Sequence, residues 1–201
     1  MPFNWEKQIY VTQGLSHVLN LNYFERFLQP IISHHYIILD VETTGLYPQR
    51  GHRIIEIAAV AIDGKAVTGE FHTLINPGRK VTSTAQRLNG ITNDMLADQP
   101  LPEQAYPDFY RFITGAILVA HNAVFDVSFL RYEFGRLGMS MNHRHICTLE
   151  LSRRRYPHLR NHKLETVARH LLGQLPQDRQ RHRALDDARL TAQIWMAMEG
   201  I

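Results

Sequence analysis

From Tyr36 to Val41 the chain reads YIILDV, a continuous apolar run ending beside an acid, which predicts a central strand. Ile54–Ile62 repeats the signal with β-branched enrichment. Asp63-Gly64 is a hairpin turn signal, so Ala66–Ile75 is expected to pair back antiparallel, closed by Asn76-Pro77-Gly78. Beyond it the period changes. Thr84–Ala97 predicts two short helices broken at Asn89-Gly90, and Glu103–Ile113 a helix with an irregularity at Pro107. Ala116–His121 is a short buried strand. Val124, Val127, Leu130 and Phe134 set an amphipathic helix over Ala123–Leu137, stopped at Gly138. His145–Thr148 gives a last short strand. Helices follow over Thr148–Tyr156, Lys163–Leu172 and Ala184–Glu199, ended by Pro157, Gly173 and Gly200.

Residues 1–33 read as a helical N-terminal extension, with Leu15, Val18, Leu19 and Leu28 at helical spacing and Pro30 near its end. The expected organisation is this extension and one domain over 34–201. A hairpin followed by alternating strands and helices predicts an α/β fold, a mixed β-sheet with helices on its faces.

Composition narrows the class. The chain has 201 residues, 44% hydrophobic and 20% charged, which suits one globular domain and excludes disorder or a coiled coil. No apolar run reaches the roughly 18 residues of a membrane span. The start, MPFNWEKQIY, lacks the apolar core of a signal peptide. The single Cys147 excludes an internal disulfide and fits a reducing compartment, so a cytoplasmic location is expected. The net charge of +3 hides an asymmetry: Arg144–Arg183 holds ten basic and three acidic residues, and the remainder is acidic. That division suits a phosphate-binding face beside a metal-binding site, and equally a solvated arginine-rich surface.

The chemistry concentrates in Asp40-Val41-Glu42-Thr43-Thr44-Gly45-Leu46. Side chains alternate along a strand, so Asp40 and Glu42 share a face and repel unless solvated or paired with a cation. Hard divalent ions such as Mg²⁺ take oxygen ligands of this kind. Gly45 lets backbone approach a ligand closely. Taken alone, the pair reads as a solvated strand end. Asp126 begins the helix after the strand Ala116–His121, and Asp187 lies near the start of the last helix. Each alone reads as an acid favoured by the helix dipole. Together with Asp40 and Glu42 they make four carboxylates at one sheet edge, able to hold two ions about 4 Å apart for phosphoryl displacement. Asp186 neighbours Asp187, and spacing does not choose between them. His182, between Arg181 and Arg183, precedes Asp187 by five residues and can take a proton from an attacking water. Alone it is one surface histidine of twelve.

Three motifs in order resemble the DnaQ-like exonuclease family, DEDDh subgroup, of the RNase H-like superfamily: Asp40–Leu46, His121-Asn122-Ala123-Val124-Phe125-Asp126, and His182-Arg183-Ala184-Leu185-Asp186-Asp187-Ala188. Leu88-Asn89-Gly90-Ile91-Thr92 and His162-Lys163-Leu164 add to the likeness, which spans Tyr36 to Met198. It is nearest the nuclease domain of the proofreading epsilon subunits of bacterial DNA polymerase III. The resemblance implies an RNase H-like sheet with helices on both faces. It implies Asp40, Glu42, Asp126 and Asp187 as ligands of two divalent cations, Mg²⁺ or Mn²⁺, and His182 as general base. Thr43 and Leu46 match positions that contact the 3′-terminal nucleotide, and Asn122 and Phe125 match positions lining the substrate groove. Asn89 departs from the histidine expected of epsilon subunits.

The implied activity is a 3′–5′ exonuclease releasing nucleoside 5′-monophosphates from single-stranded or frayed DNA, in replication or repair. An exoribonuclease of the same fold, a non-catalytic nucleic-acid-binding module and a metal-free carboxylate-pair hydrolase are the alternatives. The chain runs fourteen residues beyond Asp187, short of the polymerase-holding tail of epsilon subunits. Residues 1–33 are therefore either a docking element for a polymerase or other protein, or a helix covering the domain's own core. His143-x-His145-x-Cys147 offers too few ligands for a structural zinc site. Walker, G-x-G-x-x-G, H-E-x-x-H and G-x-S-x-G patterns do not occur.

Overall fold

A computed structural model of the protein describes residues 36–175 and 182–201. The predicted extension over 1–33 lies outside the described residues. Five strands form one mixed sheet: β1 (Tyr36–Thr43), β2 (Ile54–Asp63), β3 (Ala66–Leu74), β4 (Ile117–Ala120) and β5 (His145–Cys147), in the order β3-β2-β1-β4-β5. β1, β2 and β3 are antiparallel, whereas β4 runs parallel to β1 and β5 parallel to β4. The two-residue hairpin loop is Gly64-Lys65, one position later than the predicted signal, because Asp63 still pairs with Ala66.

The helices are α1 (Ser83–Asn89), α2 (Asn93–Leu96), α3 (Pro102–Ile113), α4 (Ala123–Arg136), α5 (Thr148–Arg155), α6 (Leu164–Leu172) and α7 (Ala184–Glu199). α1 and α2 open on Thr82 and Thr92, whose hydroxyls accept from Ala85 and Met95 N–H. α3 continues through Pro107 without interruption. The proline frees the carbonyl of exposed Glu103, which water can satisfy, while Tyr106, Phe109 and Ile113 are fully buried.

Strand alternation divides the core between the two sheet faces. Ile37, Leu39 and Val41 of β1 meet Phe109 of α3 and Phe129 and Phe134 of α4. Ile38, with Ala58 and Val60 of β2, meets Ala184, Ala188 and Trp195 of α7. α6 packs on the far side of α7 through Val167 and Ala168 against Leu190 and Ile194. Helices thus cover both faces, as expected. Asp40 and Glu42 continue the register of Ile38, which sends them toward α7. A buried fork, Arg53 Nε and Nη2 to Glu133 at 2.7 and 2.9 Å, ties α4 to the start of β2.

Candidate active site

β1 and β4 are parallel, so their C-terminal ends reach the same edge of the sheet. A cleft of about 550 Å³ opens there. Asp40, Glu42, Thr43, Leu46, Asn122, Phe125, Asp126, His182 and Asp187, singled out from the sequence, all line it.

Local structure explains each placement. The β1–β2 ladder slips one register step between Glu42 and Thr43, an irregularity that turns the chain at the strand end. Thr44 N donates to Arg53 O and Arg53 N donates to Thr44 Oγ1, both at 2.9 Å, closing the loop behind the cleft. Thr44 is therefore a buried structural residue, and Thr43 faces the cleft with its hydroxyl donating to Gly45 O at 2.6 Å. Gly45 has a reason other than ligand approach: a Cβ there would lie 2.7 Å from the His52 ring. His52 is held in place by Tyr47 N, which donates to its Nδ1 at 2.9 Å.

Asn122 takes a left-handed backbone, φ 87°, a conformation that asparagine tolerates better than most residues. It turns the chain sharply from β4 into α4. The preceding His121 is pinned on both ring nitrogens, Nδ1 to Thr148 Oγ1 and Nε2 to His162 O, each at 2.9 Å. Asp126 then sits in the first turn of α4, and its Oδ1 accepts from Val41 N at 3.2 Å, between the two β1 acids. On α7, Asp187 is buried toward the sheet, while Asp186 turns outward and lies 4.0 Å from Arg189. The helix rotation thus chooses between the two aspartates. Ligand atoms of Glu42, His182 and Asp187 all lie within 4.8 Å of one another.

The electrostatics are those of crowded acids. Burial, then repulsion from Asp126, Asp187, Glu42 and Glu56, pushes Asp40 well above the usual carboxylate range. Burial, then Asp187, Glu56 and Asp126, pushes Glu42 up to about 8. Asp126 is pushed up to about 7 by burial, against the pull of backbone N–H groups including that of Val41. An all-carboxylate cluster of this kind fits a hard divalent cation, whose charge would relieve both the burial and the repulsion. Among the described residues, no comparable group forms around His143, His145 and Cys147.

The sequence reading gives Leu88 and Glu56 no site role, and names Asn89 only as a departure from the expected histidine. Leu88 of α1 lines the cleft and is 59% exposed, much like Leu46 at 63%. Asn89 is buried, its Oδ1 accepts from Ile91 N at 3.1 Å, and its side chain tempers the rise at Glu42. Its Nδ2 has no hydrogen-bond partner. Glu56 on β2 is fully buried directly opposite Glu42. Burial would raise its carboxyl, yet hydrogen bonds from His72, Arg183 and Ala184 N, with the Arg183 charge, hold it down to about 2. The one cue to Leu88 and Asn89 was their Leu-Asn-Gly-Ile-Thr segment, and Glu56 had none.

Fold and site together define an RNase H-like α/β domain with an acidic cleft at its sheet edge. The chain belongs to the RNase_T exonuclease family, whose family model matches residues 37–195. It is 40% identical over 173 residues to the DNA polymerase III subunit epsilon of Pasteurella multocida, covering 82% of this chain and 68% of that protein. It is 42% identical over 163 residues to the DNA polymerase III PolC-type of Caldanaerobacter subterraneus subsp. tengcongensis, covering 81% of this chain and 11% of the relative. The chain thus spans about a tenth of the PolC-type relatives' length. The solved structure of Exonuclease X in complex with 5′ overhanging duplex DNA superposes with a TM-score of 0.66 at 30% identity, covering 82% of this chain and 91% of that one. Among the described residues, no helix is long and apolar enough to cross a membrane.

Proposed function

We propose that this chain is a metal-dependent 3′–5′ exonuclease releasing nucleoside 5′-monophosphates from single-stranded or frayed DNA 3′ ends. The convergence of Asp40, Glu42, Asp126, Asp187 and His182 on one cleft carries the reading. The four acids would hold two divalent cations, Mg²⁺ or Mn²⁺, which when bound supply charge neutralisation at the scissile phosphate and an acidified water. His182 is exposed at the border of the acids, so it accepts the proton of the attacking water and passes it to solvent. The Thr43 hydroxyl already donates to Gly45 O, which leaves its lone pairs for the sugar hydroxyl of the terminal nucleotide. Leu46 and Leu88 offer apolar contact to its base, and Asn122 and Phe125 line the path of the strand. Exposed Arg153 and Arg154 on α5 belong to the basic segment that meets phosphates further along.

The test is incubation of 5′-labelled single-stranded DNA and the matching RNA with Mg²⁺, Mn²⁺ or EDTA, beside an Asp40→Ala variant. A ladder shortening from the 3′ end, abolished by EDTA and by the variant, supports the reading. Degradation of RNA alone makes it an exoribonuclease, and binding without cleavage makes it a binding module. Cleavage resistant to EDTA rejects the metal mechanism. The polymerase III relatives support a polymerase as protein partner, in the cytoplasm, and the docking element proposed for it is residues 1–33. Retention of that partner after deletion of 1–33 would reject the docking role.

A further inference from the structure

We infer that Glu56 is a positioning residue for His182, clamping the junction between that histidine and α7 from behind the cleft. The inference rests on the reading of His182 as the general base.

His182 is an exposed residue with a left-handed backbone, φ 58°, a conformation that needs support in a residue with a side chain. It stands one residue before the N-cap of α7, and the Arg183 side chain makes no capping bond to that helix. Glu56 supplies one instead. Ala184 N donates to Glu56 Oε2 at 3.0 Å, which places a carboxylate at the positive end of a 16-residue helix. Arg183 closes on the same carboxylate, Nε at 3.1 and 3.2 Å to its two oxygens and Nη2 at 2.8 Å to Oε1. From β3, His72 Nε2 lies 2.7 Å from Oε1 and holds the acid on its other side.

The place of Glu56 in the sheet gives the clamp its consequence. It is the ladder partner of Glu42 and points to the same face. The strand pair that carries Glu42 therefore also anchors the Arg183 side chain and the Ala184 backbone that follows it. His182 and Asp187, five residues apart, are set against Glu42 as one frame. Glu56 does not line the cleft, and Arg183 neutralises it, so it is not a fifth ligand.

A double-mutant cycle tests this. Glu56→Gln, His182→Ala and the double variant are assayed on 5′-labelled single-stranded DNA with Mg²⁺. Hydrogen exchange of residues 182–187 is measured in the metal-free proteins. Misplacement of a catalytic group costs on the order of 100-fold, so E56Q is expected to lower kcat about 10- to 100-fold with KM within about 3-fold. In the H182A background the same change should cost less than about 2-fold, because the two residues act as one unit. Exchange over 182–187 should rise at least about tenfold while the sheet stays protected. A kcat within about 2-fold of wild type, or an undiminished loss in the H182A background, overturns the inference. Should E56Q not fold, Arg183→Gln carries the same cycle from the other side of the clamp. A wild-type chain without nuclease activity rejects the exonuclease reading instead. Exchange then decides the clamp alone, and unchanged exchange in E56Q overturns it.

Discussion

Glu42 and Glu56 face one another across the β1–β2 ladder, yet one carboxyl is pushed up to about 8 and the other held down to about 2. Both are buried. The difference lies in their partners: Glu56 meets Arg183, His72 and the Ala184 N–H, whereas Glu42 meets further acids. One acid is satisfied by partners within the protein, and the other is crowded by like charge.

Stability of the metal-free protein follows from that contrast. Glu42 and Asp126 titrate higher in the folded chain than in the unfolded one, at about 8 and about 7. Their contribution is present in full below the ordinary carboxylate range and is lost as pH rises through 7 to 8. Glu56 behaves oppositely, but its loss falls between about 4.5 and 2, outside this window. In EDTA the melting temperature is expected to be lower at pH 8.5 than at pH 5.5, with added Mn²⁺ raising it more at pH 8.5. Equal metal effects at both pH values would contradict the account.

Asp40→Asn removes one charge from the crowd. Without metal it is expected to stabilise the fold by about 1 kcal/mol, since it relieves burial and repulsion together. With Asp40 proposed as a metal ligand, activity should fall on the order of 1000-fold or more. Parallel denaturant melts and exonuclease rates check both, and destabilisation in EDTA would mean that Asp40 has a partner inside the fold.

Gly45→Ala drives a methyl group into the His52 ring, 2.7 Å away. A cost of about 1–3 kcal/mol is expected from overpacking. The double variant with His52→Ala should recover a measurable part of it, since the obstructing ring is gone. No recovery in equilibrium unfolding would show that the strain lies elsewhere.

Strand binding should depend on salt. Arg153 and Arg154 are exposed on α5, and Arg160 and Lys163 are exposed beyond it. With several phosphate contacts, the rate at subsaturating DNA should fall at least about tenfold between roughly 50 and 200 mM salt. A flat response would remove this face from the substrate path.

The sequence by itself determined the elements, because their signals are local. Continuous apolar runs mark β1 and β2, the 3.6-residue period marks α4, and Gly90, Gly138 and Gly200 take the left-handed turns that follow helices. The motif residues were legible for a related reason: each lies at a strand end or helix start that its own neighbours specify. Tertiary structure alone decided what meets what. The motif resemblance points to Asp187 over Asp186, but the physical reason is tertiary: α7 packs Ala184 and Ala188 onto the sheet, and that packing fixes its rotation. Glu56 reads as one acid inside a buried strand until Arg183, 127 residues away, arrives beside it. His52 explains Gly45 only once the strand-end loop has folded back. Periodicity and turn chemistry act over a few residues, whereas ion pairs and burial join segments whose separation along the chain carries no trace of their contact.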